Sequence, residues 1–139
     1  MVKVSQAQRV SAAREFVQRW KGLGYEKGDT HKFWLDLLTN VLGMDDATTN
    51  VMFEQSTVSR GYIDAIVVDA KTFIEQKSLG VDLDKPEIRQ NEPVTPFQQA
   101  KRYADAQPNV QRPDTIIVSN FYEFRIHDLA EEPYPEHNY

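Results

Sequence analysis

Three ionisable residues interrupt two apolar stretches in the middle of the chain. Asp64 lies inside YIDAIVV (62–68), while Glu75 and Lys77 follow Phe73 and Ile74 in KTFIEQKS (71–78). Both stretches are rich in β-branched residues and read as strands. Asp69-Ala70 between them is compatible with a tight hairpin turn, although not with the favoured Asn-Gly chemistry. If Val68 faces Lys71, counting back along both strands puts Asp64 opposite Glu75, with Cβ atoms about 5 Å apart. Lys77, two residues further on, projects from the same face, and a one-residue slip would separate the two acids. Carboxylates this close repel unless a positive charge sits between them. Mg²⁺ is suited to one or two carboxylates completed by waters and phosphate oxygens. A water on such a metal is more acidic, and Lys77 can orient or deprotonate it. The trio therefore describes metal-assisted phosphodiester hydrolysis; the competing reading is a chance pattern of charges at strand ends.

Further candidates surround the trio. Gln99 and Tyr103 stand at i and i+4 in FQQAKRYADA (97–106) and share one helix face, either as site residues or as an ordinary solvated surface. Glu54 ends the strand before Asp64 and either approaches the same edge or lies on the surface. Glu15 could reach a metal only if the first helix crosses the sheet. His31, His127 and His137 lack ligand spacing to one another. Trp20, Phe33 and Trp34 suit core packing better than base stacking. Lys101-Arg102 is a small basic step that could meet phosphates or water.

The elements that must position these residues can be read in order. A helix is predicted from Ser5 to about Lys21, with Val10, Ala13, Val17 and Trp20 as its apolar stripe. Gly22, Gly24 and Gly28 punctuate a loop, and Asp29 or Thr30 caps a second helix, HKFWLDLLTNVLG (31–43), ending at Gly43. Asn50–Gln55 is a short strand and 56–61 a turn or open loop. After the central hairpin, residues 80–96 are polar, contain three prolines and read as a mobile loop. Pro96 suits the first turn of the helix that follows, and 108–113 breaks it. TIIVS (115–119) reads as a strand covered on both faces, YEFRIH (122–127) as a further strand, and EEPYPEHNY (131–139) as a tether. A mixed sheet flanked by helices, an α/β fold, is the natural architecture.

The residues Gly61-Tyr-Ile-Asp64, Phe73-Ile-Glu75-Gln-Lys77-Ser78 and Gln99-Ala-Lys-Arg-Tyr103 resemble the PD-(D/E)xK nuclease superfamily, whose α-β-β-β-α-β core the element order also resembles. The last motif is similar to the Gln-x-x-x-Tyr element of the RecB-like branch. Ile63 stands where the superfamily name has proline, a relaxation that many members share. More narrowly, HKFWLDLLTNVLG, FEQSTVSRGYIDAIV, FIEQKSLGVDL and RPDTIIVSNFYEFRIHDL resemble the N-terminal nuclease domain of single-chain restriction-and-modification enzymes of the MmeI-like, type IIG/IIL class. The resemblance implies Asp64 and Glu75 as Mg²⁺ ligands, Mn²⁺ as a substitute ion, and the Gln76 backbone carbonyl completing the site. It also implies Lys77 as catalytic lysine, with Gln99 and Tyr103 supporting the site or contacting DNA.

The implied substrate is double-stranded DNA and the implied setting the cytoplasm of a prokaryote. In such enzymes methyltransferase and target-recognition domains follow in cis. Neither a glycine-rich cofactor loop nor an Asn-Pro-Pro-Tyr-type motif occurs in this sequence, so S-adenosylmethionine would bind only in a missing domain. Residues 1–130 would be the nuclease domain and 131–139 a tail or linker. A stand-alone repair or defence nuclease and a noncatalytic interaction module are the alternatives.

Composition fits one domain: 139 residues can bury roughly two thirds of the unfolded surface. With no cysteine, disulfides, thiol nucleophiles, Cys-based zinc sites and iron–sulfur clusters are excluded. No apolar run approaches the ~20 residues of a membrane helix. The formal charge of -5 argues against tight DNA binding by this chain alone, so partner domains would supply the phosphate-neutralising charge.

Overall fold

In the computed structural model, which describes residues 5–56, 62–89 and 91–130, one five-stranded mixed sheet carries two helical layers. The strands are β1 (Val51–Ser56), β2 (Tyr62–Val67), β3 (Thr72–Gln76), β6 (Thr115–Ser119) and β7 (Phe124–Asp128), in that spatial order. A separate hairpin pairs β4 (Glu87–Arg89) with β5 (Glu92–Val94). Among the described residues only β3 and β6 run parallel; the long crossover a parallel pair requires contains the small hairpin and α4 (Pro96–Asp105). The expected mixed sheet flanked by helices is therefore the observed architecture. Residues 57–61 and 131–139, read from sequence as an open loop and a tether, lie outside the described residues.

The helices on one face are α1 (Gln6–Trp20) and α2 (Glu26–Asp36), the latter continuing through a wider turn at Leu37–Val41; a short α3 (Ala47–Asn50) leads into β1. Ser5 caps α1 in a reciprocal capping box with Gln8. The face it buries differs from the expected stripe. Val10 and Val17 are exposed, whereas Phe16 is buried against Phe33, 5.1 Å between ring centroids. Aromatic area decides the orientation, since Phe33 also packs edge-on against Trp20, Trp34 and Phe121. With Leu38, Val51, Ala65, Val67 and Ile74 these rings form one core, so Trp20, Phe33 and Trp34 are packing residues, as their spacing indicated.

The second face is covered by α4, whose Phe97, Ala100 and Ala104 pack on Ile63, Phe73, Ile116 and Val118. Thr95 and Gln98 form its capping box, with Pro96 in the first turn. Two expectations need correction. Helix α2 begins at Glu26, not after Asp29 or Thr30: Asp29 lies in its first turn and accepts the Tyr25 N–H at 2.9 Å, while the Glu26 N–H donates to Ser78 Oγ at 3.0 Å. Residues 80–96 are not a structureless loop. Leu83 and Val94 are buried, the Asn120 side-chain amide donates to the Val81 carbonyl, and the Arg125 guanidinium pairs with Asp84.

Gly24 sits where the loop before α2 meets the turn after β6. Its φ is +145°, and a Cβ there would lie 2.7 Å from the Phe121 ring. Its carbonyl accepts the Leu79 N–H at 2.9 Å, tying this loop to the chain just beyond β3.

Candidate active site

Pairing of β2 with β3 runs Val67 with Thr72, Ile66 with Phe73 and Ala65 with Ile74. The next step of this register sets Asp64 opposite Glu75, as the hairpin count requires. Here the carboxylate takes over from the backbone: Asp64 Oδ2 accepts the Gln76 N–H at 2.7 Å. On the other side of β2, Phe53 pairs with Ala65 and Gln55 with Ile63, so Glu54 falls opposite Asp64. Glu54 has a left-handed backbone, φ 54°, which costs a non-glycine residue on the order of 1 kcal/mol. The strained residue thus stands beside the candidate catalytic acid.

Glu75 and Lys77 are both buried, each about 3% exposed. Lys77 Nζ lies 3.6 Å from Glu75 Oε2 and 3.5 Å from Glu87 Oε1. Glu75 Oε1 is buried with no hydrogen-bond partner. A buried acceptor left unmatched disfavours the ionised form, and burial holds the Glu75 carboxyl well above its usual range. The Asp64 charge pushes it further the same way, while Lys77 opposes both. Burial likewise pushes Asp64 up to about 6; the Gln76 N–H counteracts this, and Glu26 and Glu54 add to it.

Gln76, the middle residue of Glu75-Gln-Lys77, fastens the trio. It is completely buried. Its side-chain carbonyl accepts the Trp34 indole N–H at 2.7 Å, and its amide donates to the Lys77 carbonyl at 2.8 Å. Helix α2 is thereby locked to the strand that carries both Glu75 and Lys77. Trp34→Phe keeps an aromatic ring but leaves the buried Gln76 oxygen unmatched. We expect a loss of roughly 1–3 kcal/mol in chemical denaturation, and a loss below about 0.5 kcal/mol would contradict this role.

A cleft of about 300 Å³ opens on Asp64 and is lined also by Glu26, Lys27, Thr30, His31, Glu54 and Arg89. Glu54 therefore belongs to the cluster. Glu15 does not: it is on the exposed side of α1, whose inward residue is Phe16. Gln99 and Tyr103 are partly buried on α4, where the Gln99 amide donates to the Tyr103 hydroxyl at 3.3 Å and Tyr103 packs on the second core. Lys101 pairs with Asp105 and Arg102 with Glu92, so the basic step at 101–102 is neutralised within the fold. His127 packs 4.1 Å from Phe97 on β7, while His31 stacks on Phe53 at 4.1 Å.

Sequence reasoning missed Glu26, Glu87, Arg89 and the part His31 plays in the cleft. Glu26 was missed because Asp29 was read as the cap itself, whereas its carboxylate reaches back from the first turn to accept the Tyr25 N–H at 2.9 Å. Glu87 and Arg89 alternate with Ile88, a short strand signal submerged in a charged, proline-containing segment.

Among the described residues, no three His, Cys, Asp or Glu side chains form a metal-ligating cluster. The arrangement is a carboxylate pair, not a cage. A pair suits a hard divalent ion that retains waters and binds phosphate oxygens, and the unmatched Glu75 oxygen fits a cation there. No helix among the described residues is long and apolar enough to cross a membrane.

No curated protein and no solved structure matches the chain significantly. A family model described as "MmeI, N-terminal domain" matches residues 10–138, a span that includes every element of the sheet and every residue of the cleft. The chain belongs to the MmeI N-terminal domain family.

Proposed function

We propose that this chain is the Mg²⁺-dependent DNA endonuclease module of a restriction-modification enzyme. The observation that carries the reading is the buried, unmatched Oε1 of Glu75 beside the buried Lys77, on the strand whose next residue, Gln76, donates its N–H to the Asp64 carboxylate. Family membership points to a restriction-modification module. Asp64 and Glu75 would hold the ion, with the Gln76 carbonyl as a third donor. When bound, Mg²⁺ supplies a Lewis acid for the phosphate and an acidified water.

The chain's own residues do the rest. Gln76 fixes Asp64 through its N–H and fixes the strand through Trp34. Lys77 Nζ directs its protons at the attacking water or the phosphate oxygen and stabilises the charge that develops there. The surplus of acids keeps affinity for the duplex low, so methyltransferase and target-recognition domains in cis would deliver the DNA. Cleavage by the 139 residues alone is then weak and falls steeply with salt.

Titration calorimetry with Mn²⁺ tests the site. One binding event is expected for the wild-type chain and none for Asp64→Asn. Undiminished binding by Asp64→Asn would overturn the assignment, and absence of binding by either protein would favour a noncatalytic interaction module.

A further inference from the structure

The segment between β3 and α4 carries a feature that the hydrolytic trio does not use. The Glu87 carboxylate bridges two cations: Oε1 lies 3.5 Å from Lys77 Nζ, and Oε2 lies 3.0 Å from Arg89 Nη2. The three groups differ in exposure. Lys77 is 4% exposed at its side chain, whereas Glu87 is 40% and Arg89 48% exposed. Arg89 also lines the cleft that opens on Asp64.

Two oxygens of one anion shared between a lysine and an arginine is the arrangement a phosphate adopts on the same pair. A phosphodiester carries one negative charge, as does the carboxylate, so exchanging one for the other leaves the net charge of the pair unchanged. Arg89 bonds Glu87 through a single nitrogen, Nη2, and its planar fork is suited to a second bond with a phosphate oxygen. The exposed Glu87 can leave at little packing loss, because the hairpin is held elsewhere, through buried Val94 and the pair of Glu92 with Arg102 at 2.8 Å.

We propose that Lys77 and Arg89 form a two-cation site for a backbone phosphate, and that Glu87 occupies it as an internal stand-in that the phosphate displaces. The identity of the phosphate as a DNA backbone group rests on the nuclease reading. Arg89 is then a substrate-binding residue, and Glu87 an autoinhibitory one that suppresses binding until a duplex is delivered at high local concentration.

The test uses the metal-free 139-residue chain, ¹⁵N-labelled, titrated with inorganic phosphate while the Arg89 Nε–H resonance and the backbone amides of residues 87–89 are followed, the amides serving where Arg89 is replaced. Glu87→Gln is expected to tighten phosphate binding about fivefold or more, and Arg89→Gln added to it should abolish the gain. Asp82→Asn removes the same charge from the same segment, keeps an oxygen for the Asp84 N–H and should leave the titration unchanged. Glu87→Ala provides a second route to the same gain, and amide spectra report whether each variant keeps the fold. Equal or weaker binding by both Glu87 variants, a gain that survives loss of Arg89, or an equal gain in Asp82→Asn would overturn the proposal. The readout needs neither metal nor cleavage, so it can fail while Asp64-dependent Mn²⁺ binding stands, and the converse.

Discussion

Lys77→Ala is expected to lower Mg²⁺-dependent nicking of supercoiled plasmid, at low ionic strength, by at least ~10²-fold, the range for loss of a positioned proton-transfer or charge-stabilising group. The fold should survive. Removing one partner of a buried ion pair ordinarily costs about 3–5 kcal/mol, because the other charge is left alone. Glu75 has an escape: its carboxyl already favours the protonated form and can take up a proton in place of the lost ammonium. The destabilisation should therefore shrink as pH falls, while the loss of cleavage persists wherever the wild-type chain is active. A Lys77→Ala protein that nicks within a fewfold of wild type would remove Lys77 from the chemistry.

Glu75→Gln should do the opposite to stability while abolishing Mn²⁺ binding. In the folded protein the Glu75 pKa lies well above the ordinary value of 4.5, so the native state holds a proton that the unfolded chain releases. Stability contributed by that proton is fully present below the unfolded value and declines as pH rises through the folded one. Asp64, raised from 3.8 to about 6, declines in the same direction between those limits. Glutamine is neutral throughout, so the variant and the wild type should unfold at similar temperatures near pH 4.5. They should then diverge as pH rises, with Glu75→Gln more stable by roughly 1–3 kcal/mol at neutral pH and above. Thermal melts from pH 4.5 to 8 would show this as a gap of several degrees. A variant less stable than wild type at every pH would mean that the ion pair with Lys77 outweighs the burial of the acid. Excess Mn²⁺ should close the gap by stabilising only the wild type, by about 2.7 kcal/mol at a hundred times Kd.

The heart of this site was legible because it depends on parity. Once Val68 is set against Lys71, the period of two along a strand leaves Asp64 one possible partner, and the pairs observed from Val67–Thr72 to Ala65–Ile74 keep that register. The start of α1 at Ser5 and the place of Pro96 in the first turn of α4 were legible as local features, and the structure adds a capping box to each, Ser5 with Gln8 and Thr95 with Gln98. What escaped depends on distant partners. The buried side of α1 is chosen by Phe33 and Phe121, which its own stripe of Val10, Ala13 and Val17 does not foretell. At the start of α2 the Glu26 N–H is taken up by Ser78, and Glu26 lines the cleft. The strand that carries Glu87 and Arg89 and its partner are three residues each, and Ile88 between those two is itself exposed, so their alternation is too short to announce them. The resemblance to PD-(D/E)xK nucleases supplied the roles of Gln76, Gln99 and Tyr103, and only Gln76 is seen tied directly to the trio.

Gly24 constrains how this chain can vary by descent. Two independent demands exclude a side chain there: the backbone angle and the Phe121 ring in the space a Cβ would take. Relieving the second alone, by shrinking Phe121, leaves the first in force, so no single compensating replacement reopens the position. A lineage that lost this glycine would also disturb the carbonyl that holds Leu79, two residues after Lys77. A change at a loop position outside the cleft would thus reach the end of the strand that carries Glu75 and Lys77.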